Sequence, residues 1–250
     1  EMEVLAELDG QGAVEDALGS LPKLYEDWLE TEAAKSFLGD GAAERGVVRD
    51  ELLKDARAAC ARIRSGIDRL KEDPDALEAF RLANRAMAMA ARRRNQKPDE
   101  SDTPAWRLFQ LAFVLLNIDG IVDPQHRDRK TVELIFFPTG GGKTEAYLGV
   151  IAFALILRRM RGRGKDHAGL GVAVLLRYTL RLLTLDQLAR ATTLMCALEV
   201  LRREDPELLG DVRFAMGLWG GQSATPNRLE QFNEELTEYK KGRRKTLPVP

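Results

Sequence analysis

Five consecutive residues in this 250-residue chain could do chemistry on a phosphate: Gly140-Gly141-Gly142-Lys143-Thr144. A polyphosphate is held by backbone N–H groups, and glycines let the main chain come close without a Cβ in the way. Lys143 then supplies a point charge for the β- and γ-phosphates, and the Thr144 hydroxyl is placed to ligate Mg²⁺. Thr139 and Gly140 to Thr144 are accordingly the expected binding residues for ATP, with Lys143 and Thr144 acting on the reaction. The first position of the eight-residue loop, where a small residue is usual, is Phe137.

Such a loop must be delivered by one element and followed by another. The apolar run Val132-Glu133-Leu134-Ile135-Phe136-Phe137 predicts a strand before it. Ala146 to Leu157 predicts a buried helix after it, running to about Met160, whose N-terminal partial charge adds to the anion site. Leu170 to Leu176 is near-continuously apolar, as in a strand buried on both faces of a parallel sheet. Strand, helix, strand at this spacing is a βαβ unit. Thr184-Leu185-Asp186-Gln187 reads as a capping box for a helix to about Arg203. A third strand is expected over Val212 to Leu218, and Thr225-Pro226 opens a last helix ending near Gly242.

Residues 1 to 100 read differently. Apolar spacing, alanine and charge predict several helices with breaks at Gly10 to Gly12, Gly19 to Pro22, Gly39 to Gly46 and Asp73-Pro74. One begins at Leu21-Pro22. Another, Val47 to Leu70, carries Leu52, Leu53, Ala56, Cys60, Ile63, Ile67 and Leu70 on a shared stripe. A third covers Ala76 to Arg94, and Asn95 to Pro104 reads as a linker. The expected organisation is a helical region over 1–100 and an α/β domain over 101–250.

Hydrophobic residues make up 44% of the chain, enough for a sizeable core, and no apolar run is long enough to span a bilayer. Cys60 and Cys196 offer neither a disulfide framework nor metal spacing, which points to a reducing, cytoplasmic setting. The net charge of −1 hides an asymmetry: 13 acidic and 4 basic groups over residues 1–50, against 3 and 10 over 151–203. Contact with a polyanion, if made, belongs to the second half. The chain opens on Glu1, as in a piece of something longer.

Three features line up with a known family: Gln110 behind an aromatic upstream of the loop, Arg177-Tyr178-Thr179 after the second apolar run, and Gly220-Gly221 after the third. Together they resemble the first RecA-like lobe of superfamily 2 helicases. More narrowly, Phe136 to Gly149 and Arg177 to Thr184 resemble the DrmA family, the helicase-like component of the DISARM antiphage defence system. The likeness is strongest from Trp106 to Asn227 and weaker over Leu21-Pro22-Lys23-Leu24-Tyr25 and Ala79 to Asn84.

The resemblance implies an ATP- and Mg²⁺-dependent DNA motor working with other defence subunits. In it Gln110 reads adenine, while Arg177, Thr179, Arg181, Gly220, Gly221 and Thr225 touch the nucleic-acid backbone. The DNA would be single-stranded, or a duplex with a single-stranded end. After Thr144 no apolar strand ends in Asp-Glu, and the second lobe of the family has no counterpart, so this chain alone is not expected to hydrolyse ATP. Two other readings stay open on the residues alone: a P-loop ATPase that does not act on nucleic acid, and a non-hydrolysing nucleotide- or partner-binding module.

Overall fold

Alanine-rich, charge-laced sequence with apolar residues at helical spacing gives five helices up to Arg94 in the computed structural model: α1 (Met2–Ala6), α2 (Gly10–Leu18), α3 (Ser20–Ala33), α4 (Ala42–Glu72) and α5 (Pro74–Arg94). Asp73 ends α4 in an extended conformation, and its carboxylate accepts the N–H of Ala76 at 3.1 Å. Pro74 then occupies the first position of α5, where its missing N–H costs nothing. Next come α6 (Leu108–Val122), a 3-10 turn (Arg127–Lys130), α7 (Lys143–Arg161), α8 (Arg181–Glu204), α9 (Pro206–Leu209) and α10 (Leu229–Lys240). The structure describes residues 1–94, 103–136, 138, 140–165, 169–177, 181–218 and 228–243, with only the backbone for 181–185.

The chain divides into two units, Glu1–Phe214 and Ala215–Pro250. In the first, α5 packs on α1, α7 and α8, while α6 packs on α4 and α7. Phe80, Leu115, Ile118, Phe153, Ile156, Leu194 and Leu198 are fully buried in a single apolar cluster fed by residues on both sides of position 100. The α4–α6 crossing is close enough to require Gly66, because a Cβ there would lie 2.0 Å from the Leu115 carbonyl oxygen. Arg69 closes the same crossing by donating to the buried Asp119 at 2.9 Å. On α4 the expected stripe is buried at Leu53, Cys60, Ile63, Ile67 and Leu70, whereas Leu52 is exposed. In the second unit, α10 buries no residue.

The α/β expectation is overturned. Among the described residues there is no strand, so the parallel sheet, the βαβ unit and the RecA-like lobe are not present, and the fold is all-helical. Over their described residues the three apolar runs meant to form the sheet have irregular backbone, and many of their side chains face solvent. Val132, Leu134 and Phe136 are 92%, 85% and 94% exposed, and Val172, Leu175, Val212 and Met216 are exposed as well. The physical reason is pairing: an extended segment is stabilised by a ladder, and among the described residues none of these runs has one, so apolar composition alone does not make a strand. The helix expected from Thr184 begins earlier, at Arg181, which places the supposed capping box inside α8.

Candidate nucleotide-binding site

Gly140 to Gly142 turn tightly into α7. Gly141 N–H donates to Pro138 O at 3.1 Å, and Gly140 and Gly142 have φ of 81° and 89°. Gly142 is the N-cap of α7 in the left-handed region, which favours glycine, and it contributes no side-chain cap. The first N–H groups of α7 are therefore left to other acceptors. Lys143 and Thr144 are the first two helical residues, both half-buried, with Lys143 Nζ 3.5 Å from Pro138 O.

Gln110 meets this loop from α6. It is only 4% exposed, its Nε2 donates to Gly142 O at 2.7 Å, and its Oε1 accepts the Arg107 N–H at 2.8 Å. Arg107, the N-cap of α6, sends its Nη1 to Gly141 O at 2.9 Å. The start of α6 is itself fixed on α5: Trp106 Nε1 donates to Asn84 Oδ1 at 2.7 Å, and the buried Asn84 donates on to Phe80 O at 2.8 Å.

Glu145, in the first turn of α7, ties the site to two further helices. Arg94, at the end of α5, donates to its carboxylate at 2.8 Å, and Arg190 of α8 pairs with the same oxygen. Burial by itself would push the Glu145 carboxyl up, but the hydrogen bond from Arg94, the charge of Arg190 and a backbone N–H outweigh it and hold the group below its ordinary range. Arg94 and Arg190 thus share one carboxylate, while Arg107 and Lys143 reach the loop carbonyls of Gly141 and Pro138; four cations against one carboxylate on these neighbouring segments suit a polyphosphate.

Of the residues expected from sequence, the structure brings together Gln110, Gly140, Gly141, Gly142, Lys143 and Thr144. Thr139, Thr179, Gly220, Gly221 and Thr225 lie outside the described residues, as does the side chain of Arg181. Arg177 is described and exposed. Among the described residues there is no sheet whose strand ends could group Arg177, Arg181 and the Gly220 region. Arg107, Glu145 and Arg190 were missed. Arg107 stands three residues before Gln110, the capping-box spacing, but arginine is not a capping residue and the signal passes unread. Arg94 and Arg190 reach Glu145 from 51 and 45 residues away, which local pattern does not encode.

Over an alignment of 269 residues that takes in 98% of this chain, the sequence is 38% identical to the DISARM protein DrmA of Bacillus paralicheniformis. The chain spans 23% of the length of that relative. No family model matches the chain. The similarity runs nearly end to end, so it covers the helices before residue 100 as well as the loop.

Proposed function

We propose that this chain is the nucleotide-binding part of a helicase-like protein of antiphage defence, holding ATP with Mg²⁺ at Gly140 to Thr144. The defence role rests on the similarity to the DISARM protein DrmA. The observation that supports the site is the loop itself: a glycine turn opening a 19-residue helix without a side-chain cap, with Lys143 and Thr144 in its first turn. A polyphosphate fits these donors, since loop and first-turn N–H groups, an ammonium and a hydroxyl come from consecutive residues while the neighbouring carboxylate is neutralised by Arg94 and Arg190. Bound Mg²⁺ would screen the β- and γ-phosphate charges, with the Thr144 hydroxyl as its protein ligand. Thr139 would add to the loop's contacts.

The chain's own residues bind and orient. Glu145 is committed to two arginines, which leaves the residues of this site to bind the nucleotide. For Gln110, adenine recognition rests on what its amide has left. With one N–H and one lone pair already used, a second N–H and a second lone pair remain for a base edge. Titration calorimetry with ATP, GTP and ADP, with and without Mg²⁺, tests this reading. Lys143→Ala should lower affinity by at least about tenfold, the effect of losing one charged contact worth 1.5–3 kcal/mol. Thr144→Ala should remove chiefly the Mg²⁺-dependent part, and equal binding by wild type and Lys143→Ala would sink the site.

DNA is the proposed polymer partner, through Arg177, Thr179, Arg181, Gly220, Gly221 and Thr225. The support is the family resemblance together with the exposure of Arg177. Phosphate contacts make affinity fall with salt, and removing one arginine should lower the slope of log K against log[salt] by about one. Fluorescence anisotropy on single-stranded and duplex DNA measures it; an unaltered slope in Arg177→Ala, Arg181→Ala refutes the path. Among the described residues no helix is long and apolar enough to cross a membrane.

A further inference from the structure

We infer that Arg107 is a positioning residue of the phosphate loop: it fixes which way two successive peptide groups face and so aims their N–H groups at the bound anion. The inference deepens the nucleotide-site reading and rests on it. A trans peptide points its C=O and the following N–H to opposite sides. Holding Gly141 O toward α6 therefore turns the Gly142 N–H away from α6, and holding Gly142 O does the same for the Lys143 N–H. Arg107 makes the first hold directly, through Nη1 at 2.9 Å. It supports the second indirectly, because its main-chain N–H fixes Gln110 Oε1 at 2.8 Å while Gln110 Nε2 reaches Gly142 O at 2.7 Å.

The residue type is informative. Position 107 is the N-cap of α6, where Ser, Thr, Asp or Asn would accept an N–H of the first turn. An arginine has no acceptor to offer there, and no side-chain cap is made. The helix gives up that stabilisation, and the guanidinium goes instead to the loop of another helix, 34 residues along the chain. Packing does not explain the choice, since Arg107 is exposed. The contact also runs one way round. The guanidinium takes a loop carbonyl, Gly141 O, and as a pure donor it does not compete with an anion for a loop N–H.

The test compares wild type with Arg107→Met, which keeps the stem and removes the donor, and with Arg107→Lys, which keeps a charged donor. Mg²⁺ with a slowly hydrolysed ATP analogue is titrated by calorimetry, and the melting temperature of each chain is measured without nucleotide. Losing one charged hydrogen bond behind the loop should weaken binding about tenfold in Arg107→Met, with little change in melting temperature. A lysine can replace a single N–H contact, so Arg107→Lys should recover to within about threefold of wild type. Nucleotide binding by Arg107→Met within about twofold of wild type overturns the inference while leaving the site intact, a difference worth only ~0.4 kcal/mol. So does a loss that lysine fails to restore. If wild type itself binds no nucleotide, the site reading fails first and this one with it. Should Arg107→Met not fold, the lysine variant decides alone: weakening beyond about tenfold rejects the positioning role.

Discussion

Two apolar stretches flank the phosphate loop and end in opposite environments. On one side, α7 buries Ala146, Leu148, Gly149, Ala152, Phe153, Ile156, Leu157 and Met160. On the other, Val132, Leu134 and Phe136 stand in solvent. Both are rich in large aliphatic and aromatic residues, so hydrophobicity does not separate them. Backbone pairing does. A helix satisfies its own N–H and C=O groups and needs only side-chain neighbours, which α5, α6 and α8 supply to α7. An extended run must find a second chain segment for its backbone before its side chains can be covered, and no ladder is present among the described residues. The site inherits this asymmetry: its arrangement comes from the helical side, through α6 and α7, and not from the run that precedes it.

The comparison is broken most directly at Phe153, which is fully buried in the main cluster. Truncation there removes a large ring with few ways for the surroundings to collapse, so Phe153→Ala should cost about 3–5 kcal/mol of unfolding free energy. Urea unfolding followed by circular dichroism reads it as a lower midpoint at unchanged slope. A loss under about 1 kcal/mol would mean that α7 is not the element the core is built on.

Helices were legible wherever local chemistry sets both their ends. Asp73-Pro74 separates α4 from α5 in sequence and in structure, and the glycines before Lys143 mark the start of α7. The same local reading failed on Leu170 to Leu176, because a continuous apolar run states a preference for burial without stating with what. It failed on the start of α8 too, where Thr184 has capping spacing but the helix has already begun at Arg181. At the site, the glycines, Lys143, Thr144 and Gln110 could be picked out by type and spacing. What holds them could not. The run Arg92-Arg93-Arg94 suits a helix C-terminus, solvated or touching phosphates, yet Arg92 pairs with Glu3 at 2.7 Å and Arg94 with Glu145 at 2.8 Å. Those partners are 89 and 51 residues distant, and tertiary packing alone selects them.

The smallest expected effect sharpens the other half of the comparison. If the run before the loop is exposed as the structure has it, its side chains leave little apolar surface to re-expose when the chain unfolds. The transfer free energy that makes core truncations costly is then nearly absent. Leu134→Ser with Phe136→Ser should change the unfolding free energy by no more than about 0.5 kcal/mol, the range of ordinary surface substitutions. The same urea unfolding used for Phe153→Ala measures both, so the two variants are read on one scale. A loss above about 1.5 kcal/mol would show that these side chains are covered in the folded chain, since surface changes do not reach that size. Pairing would then no longer distinguish the two flanks of the loop, and the segment before it would share in holding the site.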